Sequence, residues 1–288
     1  MIRTLAAAMG LLTGVLAGPA LASPPAWVVS DADSTVYLVG TVHMLPDDAE
    51  WWSEGFEAAF GEADTLWLEL DLLNPPADLL SIMLGQAGSS GTSLRALVDD
   101  DVEAALEAIL MRHGIALDNV DALQPWFVYM QLSSFMIQDA GYSATSGIDF
   151  VLASQAMARG IPVRGLEEYD EQFGIFSGLS LDAQVSLLSD TVRHYDEAAE
   201  QLVAEMDSWL DGQLFSLMLI NIGSALFMPE VFDALFLERN RGFADDIESI
   251  LEGAGTDMVA VGLAHFVGPG SIVSMLRQRG YTVERWTP

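Results

Sequence analysis

Two distant stretches of the chain repeat one pattern of hydrophobic and polar positions. The apolar run 36–39 leads into Gly40-Thr-Val-His43, and the apolar run 258–261 leads into Gly262-Leu-Ala-His265. A short, continuous apolar run that ends at a glycine is typical of a buried strand. We therefore predict that both histidines stand just beyond the carboxyl end of a strand.

The repeat extends beyond the histidines, because each copy continues through a helical pattern into another apolar run. In the first copy these are 51–61 and 65–71, and in the second they are 270–279 and 281–286. Two copies of strand, Gly-x-x-His, helix and strand indicate two related half-modules that pair in space. Their Gly-x-x-His segments are then expected to converge on one site.

The long stretch between the copies has mainly helical periodicity. The exception is an apolar run at 161–167, which predicts a strand with Glu167 or Glu168 at its end. The most apolar part, 214–237, contains Asn221 and Glu230, so it predicts core or a substrate groove rather than a membrane span. Caps, prolines and glycines predict helices at 99–113, 125–138, 147–159, 180–211 and 229–253.

These patterns together predict an α/β (α+β) fold in one domain, 23–288. Half-module 26–74, which opens with a hairpin at 26–39, and half-module 257–288 flank the large helical insertion at 75–256. A chain of 288 residues, 51% of them hydrophobic, is long enough for one sizeable core. Linkers of the Gly/Ser type do not divide it.

The first 22 residues have the features of a secretory signal peptide. Arg3 gives a basic start, 5–16 is apolar, and Ala20-Leu-Ala22 is a small-x-small cleavage site before Ser23. The alternative, a membrane anchor, is disfavoured because the run is short and rich in Gly and Ala. We predict cleavage after Ala22 and a periplasmic or secreted protein without a membrane span.

Charge and cysteine content exclude several classes of partner and ligand. The chain has 42 acidic residues against 11 basic ones, a net charge of -31 at pH 7. Nucleic acid and anionic membranes both require a basic face, so neither is a predicted partner. An acidic, well-solvated surface is favoured over an acidic recognition site. With no cysteine in the sequence, disulfides and thiolate metal ligands are excluded.

Short motifs occur in order along nearly the whole of the predicted mature chain. In this order and spacing they resemble the TraB/GumN family, which includes the animal TIKI proteases and the bacterial pheromone-shutdown proteins. The motifs are Gly40-Thr-Val-His43 with Leu45-Pro46 and Trp51-Trp52, Ala63-Asp64, Leu68-Glu-Leu-Asp71, Gly141-Tyr142, Gly147-Ile-Asp149, Gly165-Leu-Glu167, Arg239-Asn240, Gly262-Leu-Ala-His265 and Gly280-Tyr281.

The resemblance implies a fold shared with erythromycin-esterase-like and ChaN-like proteins, and metal-dependent hydrolysis. His43, His265 and Glu69 are then candidate ligands, since two imidazoles, a carboxylate and an open position suit a catalytic divalent ion. Without a thiol this set fits Mn, Co, Zn or Fe equally. The alternative is structural, because a strand-end histidine is commonly hydrogen-bonded and Glu69 alternates with apolar neighbours.

Two further groups are candidates for the chemistry. Glu167 or Asp149 is a candidate general base, or a group that orients a histidine. Arg239 and Asn240 either form a structural pair or hold a substrate carboxylate or oxyanion. His113 and His194 are not candidate ligands, since they lie at a helix end and on a polar face.

Three functions remain open at the level of sequence. The leading hypothesis is an exported metal-dependent hydrolase, in particular a peptidase. The second is a non-catalytic periplasmic haem- or metal-binding protein of ChaN-like architecture. The third is an esterase, which differs from the first only in acting on a small molecule instead of a peptide. The sequence does not decide the oligomeric state.

Overall fold

The computed structural model describes residues 24–46, 48–88, 91–197, 209 and 214–288. The predicted signal peptide, 1–22, and the predicted mature start at Ser23 lie outside these residues. Where the chain is described, helices and strands alternate in a mixed order around one sheet. The predicted α/β class is therefore confirmed.

A single sheet lies at the centre of the fold. Its order is β4-β3-β5-β2-β1-β6, in which β1 is antiparallel to both neighbours and the β2, β5, β3 and β4 pairings are parallel. In the described residues its strands are β1 Ala26–Ser30, β2 Ser34–Thr41, β3 Thr65–Leu68, β4 Val163–Gly165, β5 Gly255–Gly262 and β6 Val283–Trp286.

The two strands that precede the Gly-x-x-His segments are neighbours in this sheet. β2 pairs with β5 in parallel, from Ser34 opposite Gly255 to Thr41 opposite Gly262. Apolar side chains along both strands are buried, as expected for parallel strands covered on both faces. Because the strands end level with each other, both histidine segments leave the sheet at the same edge.

The connections from this central pair run in opposite directions across the sheet. The path from β2 crosses β5 to reach β3, and the path from β5 crosses β2 and β1 to reach β6. Right-handed crossovers then place their helices on opposite faces and open a crevice between the carboxyl ends of the pair. That the two half-modules are related copies stays a prediction, as do the domain bounds.

Helices cover both faces of the sheet and extend into a second layer. None of those in the described residues is long and apolar enough to cross a membrane. They are α1 Glu54–Gly61, α2 Leu79–Ala87, α3 Asp100–Arg112, α4 Pro125–Asp139, α5 Ile148–Arg159, α6 Tyr169–Ser177, α7 Leu181–Arg193, α8 Leu214–Phe227, α9 Pro229–Phe232, α10 Arg239–Leu251 and α11 Ile272–Gln278, with a π-helical segment, Asp233–Glu238, between α9 and α10.

Several predicted boundaries are corrected by capping residues. The predicted helix at 51–61 begins only at Glu54, because the side chain of Ser53 accepts a hydrogen bond from Phe56 N and caps it. The predicted helix at 180–211 is interrupted after Arg193, where His194 is the C-cap of α7. Residues 195–197 and 209 are helical as predicted, and 198–208, 210 and 211 lie outside the described residues. The sequence did not predict α2 or α6.

The most apolar stretch, 214–237, was predicted to be core or a substrate groove, and this is right for its second half and wrong for its first. Val231 and Phe232 are buried as predicted. In α8, however, Phe215 is 67% exposed and Phe227 is 86% exposed. Apolar composition alone does not distinguish a helix with an exposed apolar face from one that is buried all round.

Hydrophobic packing divides into a core around the sheet and a cluster among helices. The sheet core includes β2, β3 and β5 with buried residues of α1, α5, α10 and α11. The helical cluster joins buried residues of α3, α4 and α7, including Val128 and Leu132 of α4. The half-buried Tyr129, Met130 and Ser133 on the same helix line a cavity at the carboxyl edge of the sheet.

Candidate active site at the carboxyl edge of the sheet

Four parallel strands bring predicted site residues to one edge of the sheet. His43 follows the end of β2, and Glu69 comes directly after β3. Glu167 follows β4, and His265 lies in the 3-10 turn Leu263–Phe266 that follows β5. In open α/β folds the crevice at this edge is the usual position of a ligand site.

His265 is buried, and its tautomer is set by Asn240. The Nδ2 of Asn240 donates to the carbonyl oxygen of Gly270 at 2.8 Å, so its Oδ1 faces the ring. Asn240 Oδ1 lies 2.6 Å from Nδ1 of His265, which therefore carries the proton. Burial, with help from Arg239, lowers the pKa of His265 to about 4. Nε2 of the neutral ring keeps a lone pair.

His43 is in a different electrostatic state. Its side chain is 64% exposed, and its Nδ1 lies 2.8 Å from Oδ2 of Asp149, in the first turn of α5. The negative charge of Asp149 raises the pKa of His43 to about 9, against the opposing effect of desolvation. In the metal-free protein at pH 7, His43 is thus a cation paired with Asp149.

Glu69 is an ionised carboxylate in a buried position. Only 8% of the residue is exposed. Burial by itself raises the pKa of Glu69, but the charge of Arg239, with contributions from both histidines and from Gly262 N–H, lowers it to about 2. Oε1 accepts from Gly262 N at 2.7 Å, and Oε2 accepts from Arg239 Nη2 at 2.6 Å and from Gln172 Nε2 at 3.3 Å.

Arg239 joins the two carboxylates that follow β3 and β4. Its Nε and Nη2 donate to the two oxygens of Glu167 at 2.8 and 2.7 Å, and Nη2 also donates to Glu69. This bidentate geometry is the strong form of an arginine–carboxylate pair. Its Nη1 lies 3.2 Å from Nε2 of His265. Of the two interpretations of Arg239, the ion pair is what the structure contains, and a role in catalysis stays a prediction.

The site lies beside two cavities that share Arg239. The first, of about 470 Å³, is lined by His43, Glu69, Asp149 and Arg239 together with side chains of α4 and α6. The second, of about 930 Å³, is lined by Glu167 and other acidic side chains. The structure thus gathers His43, Glu69, Asp149 and Arg239 around one cavity, while His265 is buried behind Arg239 and Glu167 lines the other.

The predicted ligand set fits a divalent ion in its chemistry but is not assembled as a site. Among the described residues, no group of three His, Asp or Glu side chains is arranged to hold a metal ion. Within the predicted ligand set, His265 Nε2 and Glu69 Oε1 lie 3.9 Å apart. Both histidines nevertheless hold Nδ1 against an oxygen, which is how metal-binding histidines present Nε2. The three-residue site stays a prediction.

Sequence reasoning missed residues that support this site. Gln172 donates to Glu69 from α6, a helix whose capping box, Glu168 with Glu171, is visible in the sequence. Gly147 packs against the main chain at His43, where a Cβ atom would lie 2.2 Å from the carbonyl oxygen. No local signal in the sequence indicates that close approach.

The model of the TraB/PrgY/gumN family matches residues 25–285 of this chain. The chain belongs to the TraB/PrgY/gumN family. The resemblance inferred from the motifs is therefore confirmed, and the family match covers both histidine segments and the helices between them.

Two curated relatives of this family member carry the name of a protease. The chain is 24% identical to Metalloprotease TIKI2 of Danio rerio, in a match that covers 88% of this chain and 58% of the relative. It is also 24% identical to the Metalloprotease TIKI homolog of Amphimedon queenslandica, over 59% of this chain and 38% of the relative. The chain thus spans less than two thirds of either relative. No solved structure matches it.

The tautomer of His265 in this family member can be checked directly. In metal-free protein at pH 7, NMR of the ring nitrogens should show His265 neutral with the proton on Nδ1, and titration should give a pKa near 4. In Asn240→Ala the buried Nδ1–H of His265 loses its acceptor. The ring should then no longer favour the Nδ1–H tautomer, and the free energy of unfolding should fall by about 1–3 kcal/mol. Asn74→Ala removes an exposed asparagine and is the control, so it should change neither the tautomer of His265 nor the stability of the protein. A charged His265 at pH 7 contradicts this assignment.

Proposed function

We propose that this protein is an exported metal-dependent hydrolase that cleaves peptide bonds. The observation that carries the proposal is the grouping of an ionised Glu69, a neutral His265 and a carboxylate-oriented His43 at the carboxyl edge of the sheet. A cavity large enough for part of a peptide is lined by His43 and Glu69 of this group. Neutral imidazole and ionised carboxylate are the protonation states that metal binding requires.

His43, His265 and Glu69 are the residues that would hold the ion. A divalent Mn, Co, Zn or Fe ion supplies a water molecule of lowered pKa and polarises the scissile carbonyl. Of the three, His265 and Glu69 are already in the required protonation state, whereas His43 must lose its proton to bind. Metal uptake would therefore be coupled to release of the Nε2 proton of His43, while its Nδ1 proton stays against Asp149.

The surrounding residues support this proposal through positioning. Asp149 and Asn240 each hold the Nδ1 of one histidine, which leaves Nε2 of each ring as the atom that would bind the ion. Arg239 keeps Glu69 ionised despite its burial. Glu167 gives both of its oxygens to Arg239 and lines the neighbouring cavity, which supports a positioning role rather than that of general base.

The choice of a peptide as substrate is supported by the names of the relatives and by charge. Both relatives are called metalloproteases, and at 24% identity that activity comes to this chain as part of the proposal. A net charge of -31 opposes nucleic acid as substrate. The predicted cleavage after Ala22 would place the enzyme in the periplasm or outside the cell.

Removal of the metal or of one ligand should abolish activity. With Mn, Co, Zn or Fe supplied in turn, the mature protein should cleave members of a peptide library, and a chelator should stop cleavage. His43→Ala and His265→Ala should each eliminate stoichiometric metal binding, measured by metal analysis. Their effects should not add, because the loss of either ligand already dismantles the site. Glu69→Gln keeps the side-chain shape but removes the charge, so turnover should be lost.

His194→Ala is the matched control, because His194 is 55% exposed at the C-terminus of α7 and outside the site. It should keep full metal content and activity. Unchanged metal occupancy in His265→Ala would overturn the shared site. Metal or haem bound stoichiometrically without cleavage of any peptide would instead favour the binding-protein alternative.

A further inference from the structure

The cavity at the candidate site combines an ionisable end with walls of apolar and aromatic side chains. We call it the apolar pocket, with a volume of about 470 Å³. Its ionisable lining groups come from the strand ends, α5 and α10, whereas α4 and α6 contribute mainly apolar side chains. The apolar and aromatic lining residues are Leu68, Leu70, Leu72, Tyr129, Met130, Ile137, Phe173 and Phe176.

The phenylalanine rings that line the apolar pocket pack against a buried tryptophan. Trp126 of α4 is fully buried, and its ring centroid lies 6.4 Å from that of Phe173 and 6.0 Å from that of Phe176. The ring centroid of Tyr129, which also lines the pocket, lies 6.3 Å from that of Phe176. Aromatic side chains packed on a buried ring keep their rotamers, so this wall is preformed.

The ionisable groups of the apolar pocket are already engaged with one another. Arg239 is neutralised by Glu69 and Glu167, and His43 is paired with Asp149. A substrate carboxylate in the pocket would lose water among phenylalanine rings and face the carboxylates of Glu69 and Asp149. A substrate lysine would lose its hydration among the same rings, and the two cations Arg239 and His43 already compensate two of the three carboxylate charges at this site.

We propose that the apolar pocket receives a large apolar side chain of the peptide substrate, such as Phe, Leu or Met, next to the bond that is cleaved. This inference rests on the proposed peptidase function and adds the substrate class to it. The volume accommodates one such side chain with part of its backbone, and apolar walls with a few polar groups at the reacting end are the usual form of a specificity pocket.

The test uses acetylated pentapeptide amides of sequence Gly-Gly-Xaa-Gly-Gly, with Phe, Leu, Ala, Asp or Lys at the central position. Cleavage is measured with the metal-supplied mature protein, and binding is measured by NMR titration with chelator-treated protein. The Phe peptide should exceed the Ala peptide in kcat/KM by about 10- to 200-fold, as for other hydrophobic pockets. The Asp peptide should be the poorest in both measurements.

Two variants and a control test whether the preference for the Phe peptide comes from the lining of the apolar pocket. Phe173→Ala should reduce the ratio of Phe to Ala peptide by on the order of 10-fold or more. Met130→Glu should shift the preference from Phe toward Lys, a gain that misfolding cannot mimic. Ile175→Ala is the matched control, because Ile175 is on the same helix as Phe173 but lines the acidic cavity. It should keep the wild-type ratio.

Each outcome separates this inference from the proposed function. Cleavage without a preference for Phe, or equal effects of Phe173→Ala and Ile175→Ala, would overturn the pocket assignment while the hydrolase stands. Selective binding of the Phe peptide that is lost in Phe173→Ala, with no cleavage of any peptide, would keep the pocket and overturn the hydrolase. If neither cleavage nor binding discriminates between the peptides, the pocket assignment is wrong.

Discussion

Arg239→Ala should lower the free energy of unfolding by about 3–5 kcal/mol, because it leaves two buried carboxylates without their counter-charge. The side chains of Glu69 and Glu167 are only 10% and 12% exposed, and both accept hydrogen bonds from this guanidinium. The loss should be measured by urea unfolding at pH 7. Arg239→Lys should recover only part of it, since an ammonium group cannot donate from a planar fork.

The loss in free energy of unfolding caused by Arg239→Ala should become smaller in acid. Without the guanidinium, burial would hold the folded-state pKa of both carboxyls above the unfolded value of about 4.3. Such a group costs stability at neutral pH, and the cost disappears as pH falls below its unfolded pKa. Unfolding at pH 4 should therefore show a smaller difference from wild type than unfolding at pH 7.

Arg241→Ala is the control for this prediction. Arg241 is two positions further along α10, its side chain is 60% exposed, and it lies 3.9 Å from Glu238. Its removal should change stability by no more than about 0.5 kcal/mol. If Arg239→Ala were as stable as Arg241→Ala, the buried ion cluster would not stabilise the fold.

Gly147→Ala should be the most damaging single-methyl change near the site. A Cβ atom at this position would lie 2.2 Å from the carbonyl oxygen and 2.5 Å from the carbonyl carbon of His43. These are main-chain atoms, so no side-chain rotation relieves the overlap. The start of α5 must move away from β2, and Ile148 N must give up its hydrogen bond to Val42 O at 3.0 Å.

We expect Gly147→Ala to cost more than the about 1–3 kcal/mol of ordinary overpacking. It should also separate His43 from Asp149, so the NMR titration of His43 should lose its elevated pKa. Gly85→Ala is the control, since Gly85 is inside α2 with nothing within 4 Å of the added methyl group. That change should stabilise the protein by about 1 kcal/mol through helix propensity. Equal stability of the two variants would contradict the predicted overlap.

Local signals in the sequence predicted the elements that depend on local physics. Asp99 caps α3 through its hydrogen bond with Val102 N, and Gly160 ends α5 with a φ of 72°, as glycine at that position predicts. The apolar run before each Gly-x-x-His indicated a strand, and both strands are present. The repeat predicted that the two ends of the chain lie together, whereas the parallel pairing of β2 with β5 is shown only by the fold.

The partners of the site residues could be predicted only in part, because they come from remote parts of the chain; the orientation of a histidine was one of the two roles predicted for Asp149. Arg239 bonds to carboxylates 72 and 170 positions away, and His43 bonds to Asp149 across 106 positions. The sequence named each of these residues as a candidate but left Arg239 open between two roles. Only the folded arrangement shows that Arg239, Glu69 and Glu167 form one ionic group.

The position of β5 determines when the candidate site can form during folding. This strand is inserted between β2 and β3, yet it pairs with β2 across about 220 positions. Contacts of such long range form slowly and only after the intervening chain exists. Glu69 likewise obtains its hydrogen bond from Gly262 only once that strand is in place. Until β5 is paired, the candidate site therefore has no assembled centre.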